Sequence, residues 1–188
     1  MISKLAEVPL ETQCGVFTET LFSAGERIVI CLRRGELSGQ SGVLVRIHSH
    51  CITGHVFNGV ECDCSLQMNF AQSLIAAQGL GLIIWLDHEG KGNGHLAKML
   101  SIPFKHQGFS QELAYEKAGY PRDNREYSLV ADVLSHFNVS SIRLITNNPR
   151  KKHALVQLGI PIEGLVHTPA VHDLSWSQHL RAGAETVG

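Results

Sequence analysis

Residues 80–95 read "LGLIIWLDHEGKGNGH": an unbroken apolar run that gives way to a polar, glycine-rich stretch. A strand with one face in water would alternate apolar and polar positions. This run does not, so it reads as a strand buried on both faces, the habit of a parallel sheet covered by helices. Just upstream, Leu66, Phe70, Leu74 and Ala77 recur at three- and four-residue intervals, which is helical spacing, and Gly79 is a plausible stop. Downstream, the loop "DHEGKGNGH" leads into a second helical stretch from about Leu96. Helix, buried strand, loop, helix is the repeating unit of an α/β fold.

The same grammar extends outward. "RIVICL" (27–32) and "GVLVRIH" (42–48) read as strands joined by the turn "RRGELSGQS". A helix from about Glu126 to Phe137 presents Leu129, Val130, Val133, Leu134 and Phe137 on one side, and "SIRLIT" (141–146) is another buried strand. "NNPRKKHALVQLG" then starts a helix with Asn148 as N-cap, Pro149 in its first position and Gly159 closing it. The expectation is an α/β fold: a layered αβα core with a substantially parallel sheet, preceded by an N-terminal β-rich portion, all in one domain spanning 1–188. Ligands of such sheets sit at the carboxyl ends of the strands. The "EGKGNG" loop and the "TNNPRKK" turn both fall there, so they belong to one site.

Composition narrows the function. The chain has 188 residues, is 44% hydrophobic and 18% charged, and carries a formal net charge of −1. That balance argues against a general nucleic-acid binder, which relies on bulk positive charge. It leaves room for a local basic pocket. The apolar run quoted above is far shorter than the roughly 20 residues a membrane span needs. The N-terminus "MISKLAEVPLE" lacks the charged and apolar regions of a secretory signal. A cytoplasmic protein, away from membranes, is the expectation.

Five cysteines cannot pair completely. Cys14 and Cys31 stand alone and read as small buried hydrophobes. Cys51, Cys62 and Cys64 cluster with His48, His50 and His55 in "HSHCITGHVFNGVECDC". Cys62-x-Cys64 puts two sulfurs within one turn of chain, and Cys51 can return to them across a hairpin. Thiols so grouped in a reducing compartment point to a metal, zinc above all. Three thiolates leave a fourth position open, as in a catalytic zinc; alternatively a neighbouring histidine fills it and closes a structural site. Three thiolates also over-neutralise the ion, so a nearby base would help its bound water.

Phosphate chemistry comes from three further stretches. "EGKGNG" (89–94) offers glycine backbone and a helix N-terminus to an anion. "TNNPRKK" adds Thr146, Arg150 and Lys151 at another helix start, and "PRDNREY" holds Asp123 two residues from Arg125. Each has an ordinary structural reading: a strand-to-helix loop, a capped helix, a surface ion pair. Together they fit a diphosphate or triphosphate beside a metal.

The stretches "VRIHSHCITGHVFNGVECDCSLQ", "EGKGNG", "HQGF", "DNREYSLVADVL" and "LITNNPRKK" occur in the order and at the intervals of the GTP cyclohydrolase II family, which the chain resembles strongly from Val43 to Gly159. The resemblance implies a homodimeric zinc enzyme of riboflavin biosynthesis that uses Mg²⁺ on the substrate phosphates. It would turn GTP into 2,5-diamino-6-ribosylamino-4(3H)-pyrimidinone 5′-phosphate, formate and pyrophosphate. On the matching positions, Cys51, Cys62 and Cys64 would bind zinc. Arg125 would be the nucleophile toward the α-phosphate, with Asp123 as proton acceptor. Arg46, His48, Ser49, His50, Gln67, Glu89, Gly90, Lys91, Thr146 and Lys151 would contact the nucleotide. A guanidinium is almost always protonated, so a clamp on phosphate charge suits Arg125 better than nucleophilic attack.

The chain departs from the family pattern in its lining. His50 replaces the glutamate of H-S-E-C, His55 the aspartate of T-G-D, Glu61 the usual arginine before C-D-C, and Lys91 the arginine of E-G-R-x-x-G. Ile102 stands where a tyrosine is frequent and Gln111 where a threonine is, and the C-terminal N-x-x-Y-L-x-T-K is barely visible in "SWSQHLRAG". Two further readings follow: a diverged enzyme acting on another nucleotide or stopping at a formamidopyrimidine or nucleoside monophosphate, and a non-catalytic zinc-stabilised nucleotide-binding module.

Overall fold

The computed structural model describes residues 1–169. Seven strands form one sheet in the order β1-β2-β3-β5-β4-β6-β7. They are β1 (Ser3–Thr12), β2 (Gly15–Ala24), β3 (Arg27–Arg34), β4 (Val43–Ser49), β5 (Gly81–Leu86), β6 (Ile142–Ile145) and β7 (Ile162–Val166). The strands from β5 to β7 run parallel, whereas β1, β2 and β3 are antiparallel to their neighbours. The expected parallel core and the β-rich N-terminal portion are therefore two halves of one continuous sheet. Strands β3 and β4 follow each other in the chain, yet β5 lies between them.

Side-chain alternation on the central strands builds two apolar layers. Val43, Val45 and Ile47 of β4, with Leu82, Ile84 and Leu86 of β5, face α5 (Ser128–His136) and α6 (Pro149–Gln157), which contribute Val130, Val133, Leu134 and Leu155. The opposite face carries Leu44 and Ile83 against Ala71 and Ile75 of α2 (Cys64–Gln78). Burying each such aliphatic side chain contributes about 1.5–3 kcal/mol, which is why both faces of "LGLIIWL" are apolar. The layers are thus αβα, as expected.

On the α2 face of β4 the apolar sequence stops after Leu44. Arg46 and His48 continue the same face, register-paired with Ile83 and Trp85 of β5, and both are buried. Charged and polar groups in the middle of a core strand are costly unless something uses them. They mark where packing ends and the site begins. Three further helices complete that end: α1 (Ile52–His55), α3 (Gly94–His106) and α4 (Gln111–Lys117).

Candidate active site

A cavity of about 500 Å³ opens beyond the carboxyl ends of β4, β5 and β6. Arg46, His48, Ser49, His50, Gln67, Glu89, Gly90, Lys91, Arg125, Thr146, Lys151 and the three clustered cysteines all line it. Asp123 does not line it; it sits behind Arg125, whose Nε donates to Asp123 Oδ1 at 2.8 Å. Six buried side-chain polar atoms among the described residues lack a partner, and four of them (Arg46 Nε, His48 Nδ1, Ser49 Oγ and His88 Nδ1) belong to residues of the cavity wall. Buried polar groups are nearly always bonded, so this concentration is the mark of a ligand site.

The cysteines occupy one end. Cys51 caps α1, with the Gly54 N–H donating to its Sγ at 3.4 Å, and Cys64 opens α2. Cys51 returns to Cys62 through the helical turn α1 and a loop rather than across the hairpin expected from spacing. The three sulfurs lie within 4.8 Å of one another. Among the described residues no histidine joins that group. A Cβ added at Gly54 would stand 2.9 Å from Cys62 Sγ and 3.3 Å from Cys51 Sγ. Only glycine leaves that space, and soft thiolates converging on it fit a zinc-like ion.

Cys51 Sγ lies 3.5 Å from Cys62 Sγ, within sulfur hydrogen-bond reach. Hydrogen bonds from Cys62 and Cys64 drive the Cys51 thiol far down despite burial, with Lys98 adding to the effect. The same bonds to Cys51 push Cys62 and Cys64 up. Lys98 Nζ lies 2.9 Å from Cys51 Sγ and 3.3 Å from Glu89 Oε1. The other Glu89 oxygen accepts from the Ile52 N–H at 2.7 Å.

Cations occupy the other end. Arg46 is bonded to the Ile145 carbonyl at 3.1 Å and to Gln67 Oε1, while Gln67 Nε2 donates to Asp63 at 2.7 Å. Lys151, 5% exposed, donates to the Ile47 carbonyl at 2.8 Å. Burial, then Arg46 and Arg125, push the Lys151 ammonium well below the usual lysine range. Burial likewise lowers Arg46 to about 10. Arg125 differs: burial opposes its charge, but the bonded Asp123 carboxylate outweighs that and holds the guanidinium above its ordinary value. Asp123 is held low by the same pairing against its own burial. Asn148 caps α6 through the Arg150 N–H at 3.0 Å and its own N–H bonds Thr146 Oγ1 at 3.0 Å, as the sequence indicated.

Two loops lock together to deliver Arg125. The first contains the 3-10 turn Glu89–Gly92, in which Lys91 adopts φ 57°, a left-handed conformation uncommon for a side chain with a Cβ. The Asn124 N–H donates to the Lys91 carbonyl at 2.9 Å. A Cβ at Gly92 would meet the Asn124 carbonyl oxygen at 2.6 Å, so the close approach requires glycine there. Lys91 itself pairs with Glu112 at 3.2 Å, and Glu112 also holds Arg150 at 2.7 Å.

The unusual lining residues have specific partners. His55 Nε2 is 3.1 Å from Nε2 of His48, which is 2% exposed. His50 Nδ1 meets Asp87 at 3.1 Å and its ring lies against Trp85. Glu61 turns away to His106 and Lys105, at 3.1 and 3.9 Å, and does not line the cavity. Gln111 reaches Ser101 Oγ at 3.1 Å, and Ile102 is half-buried on α3. The "SWSQHLRAG" stretch lies outside the described residues. Sequence reasoning missed Lys98, His88, Glu112, Tyr115 and Asn147, all on the cavity wall. Lys98 had a signal: it falls at helical spacing on the face of α3 that buries Ala97 and Ser101.

The family model described as GTP cyclohydrolase II matches residues 3–167. The GTP cyclohydrolase-2 of Shewanella amazonensis is 37% identical over 163 residues, covering 86% of this chain and 80% of that protein. Riboflavin biosynthesis protein RibBA of Bacillus cereus is 37% identical over 153 residues, 80% of this chain; the chain spans only 38% of that longer relative. A crystal structure of a two-domain 3,4-dihydroxy-2-butanone 4-phosphate synthase from A. baumannii aligns with 90% of this chain and 40% of its own, at TM-score 0.47 and 16% identity. With a match running nearly the whole length of the described residues, the chain belongs to the GTP cyclohydrolase II family.

Proposed function

We propose that this protein hydrolyses the imidazole ring of GTP with zinc at Cys51, Cys62 and Cys64, releasing formate and pyrophosphate and leaving 2,5-diamino-6-ribosylamino-4(3H)-pyrimidinone 5′-phosphate. The observation that carries the reading is one cavity with three converging sulfurs at one end and Arg46, Arg125 and Lys151 at the other. A purine nucleotide has the matching polarity, with a base to present to a metal and a polyanion to present to the cations. Zinc, when bound, supplies Lewis-acid activation of water for attack at C8 of the base.

The chain's own residues do the rest. Arg125 clamps the α-phosphate as a guanidinium, since Asp123 keeps it protonated. Asp123 fixes the orientation of that clamp. Lys151 and Arg46, whose charges repel one another and Arg125 in the absence of an anion, gain a counter-ion when phosphate enters. Glu89, Gly90 and Lys91 border the nucleotide from the glycine loop, Thr146 and Ser49 offer hydroxyls, and Gln67 holds Arg46 in place. His48 and His50 line the route from phosphate to base. Mg²⁺ accompanies the substrate phosphates. A homodimer working in the cytoplasm, where clustered thiols stay reduced, completes the reading. Among the described residues no helix is long and apolar enough to cross a membrane.

A second reading keeps the zinc chemistry and changes substrate or product. It is favoured by His55, which meets His48 where the family commonly carries a carboxylate. One experiment decides between them: zinc-loaded protein is incubated with GTP and Mg²⁺ and every product is identified by mass spectrometry. Formate, pyrophosphate and the diaminopyrimidinone phosphate together are expected. Pyrophosphate without formate supports the second reading with a changed product, and no product from GTP refutes the first.

A further inference from the structure

Three thiolates outweigh a divalent cation by one negative charge. A metal so bound is a weaker Lewis acid than one held by neutral imidazoles, and hydrolysis of a purine ring needs a strong one. The structure contains a group placed to offset this. Lys98 comes from α3, outside the stretch that carries the cysteines, and its ammonium lies 2.9 Å from Cys51 Sγ, closer than its 3.3 Å contact with Glu89. Its side chain is 14% exposed, so water competes little for the contact.

Glu89 sets the geometry from both sides. One oxygen holds Lys98, and the other accepts from Ile52 N–H at 2.7 Å, the residue next to Cys51. The lysine and the backbone that carries the cysteine are therefore tied to one carboxylate. Cys51 also accepts from the Gly54 N–H at 3.4 Å. Each N–H donor directed at a thiolate stabilises its lone pairs and reduces the charge it gives a metal.

The geometry points to Lys98 as a positioning residue of the metal centre: it hydrogen-bonds the Cys51 thiolate and draws charge from it, keeping the bound metal electron-poor enough for ring hydrolysis. This inference rests on the assignment of the three cysteines as metal ligands. It gives Lys98 a role apart from nucleotide contact and distinguishes Cys51 from Cys62 and Cys64.

The test uses the full chain as wild type, Lys98→Met and Lys98→Gln, each loaded with Co²⁺ in place of zinc. The sulfur-to-cobalt charge-transfer band is read first, then kcat and KM for GTP with zinc restored. Lys98→Met is expected to move the band to lower energy, because uncovered thiolate lone pairs rise, and to lower kcat by about 10- to 100-fold with KM little changed. Lys98→Gln keeps an N–H donor and recovers part of both effects. Should Lys98→Met fail to fold, a smaller shift in the same direction in Lys98→Gln supports the role. A lysine serving only as an ion pair for Glu89 would lower the melting temperature and leave the band fixed, and that result overturns the inference. Wild type that takes up no Co²⁺ would remove the ligand assignment as well, so the two failures are told apart.

Discussion

The two ends of the cavity are built from opposite imbalances. At one, Cys51, Cys62 and Cys64 converge on a space kept open by Gly54, with Lys98 as the cation against them. At the other, Arg46, Arg125 and Lys151 gather, with Asp123 bonded to Arg125 and Asp63 reaching Arg46 through Gln67. Neither arrangement is a comfortable end state for a protein interior, where uncompensated charge costs several kcal/mol per ion. A structural ion network would balance itself. Each end holds more of one sign than of the other, which supports the reading of a metal cation at the sulfurs and a polyanion at the guanidinium end.

If the ends are chemically separate, substitutions should separate them. Cys64→Ser removes a ligand and should abolish both metal content and ring opening, by metal analysis and product assay; full zinc and activity in this variant would end the assignment. Arg125→Ala should keep its zinc and lose about 10²- to 10³-fold in pyrophosphate release. Loss of zinc as well would mean that the ends are not independent.

Gly54→Ala sharpens the same contrast from the backbone. Its Cβ would intrude to 2.9 Å from Cys62 Sγ, so metal affinity by chelator competition should fall about 10- to 100-fold while nucleotide affinity holds. The smallest effect concerns protons. Burial, then Arg46 and Arg125, hold the Lys151 pKa low in the free protein, and an incoming phosphate raises it. Nucleotide binding should therefore take up a proton and weaken as pH rises through the pKa of the free protein. Calorimetry in two buffers of different ionisation enthalpy measures the uptake, which Lys151→Met should lose.

Much of this was legible in the residues. The buried strands announced themselves because both faces of "LGLIIWL" are apolar and "SIRLIT" is mostly so, and Asn148 with Pro149 fixed the start of α6 by local chemistry. The cysteines, the glycine loop and the Asp123–Arg125 pair were found by type and spacing, and the rule for strand ends brought the glycine loop and the "TNNPRKK" turn into one site. Sheet order was not legible: that β5 separates β3 from β4 depends on pairings distant in sequence, which no local signal encodes. Nor was the direction of Glu61, whose place beside Cys62 implied a role near the metal, while the contacts with Lys105 and His106 turn it to the far end of α3. Lys98's role was harder to read because its partner Cys51 lies 47 residues away in the chain.

The placement of β5 also has a consequence for how the molecule forms. As the chain leaves the ribosome, β1, β2 and β3 can zip to one another in order, each against its predecessor. β4 finds no partner then, because both of its neighbours, β5 and β6, lie further along the chain. The sheet closes only when β5 inserts, and the loop closed in that step is the segment bearing Cys51, Cys62 and Cys64. Loop-closure entropy is lost there before the pairing rewards it, which slows that step. A substitution that weakens β5 would slow folding, whereas one on the edge strand β1 would chiefly hasten unfolding. An ion that gathers the cysteines early would shorten that loop, making the metal a folding aid as well as a resident of the finished site.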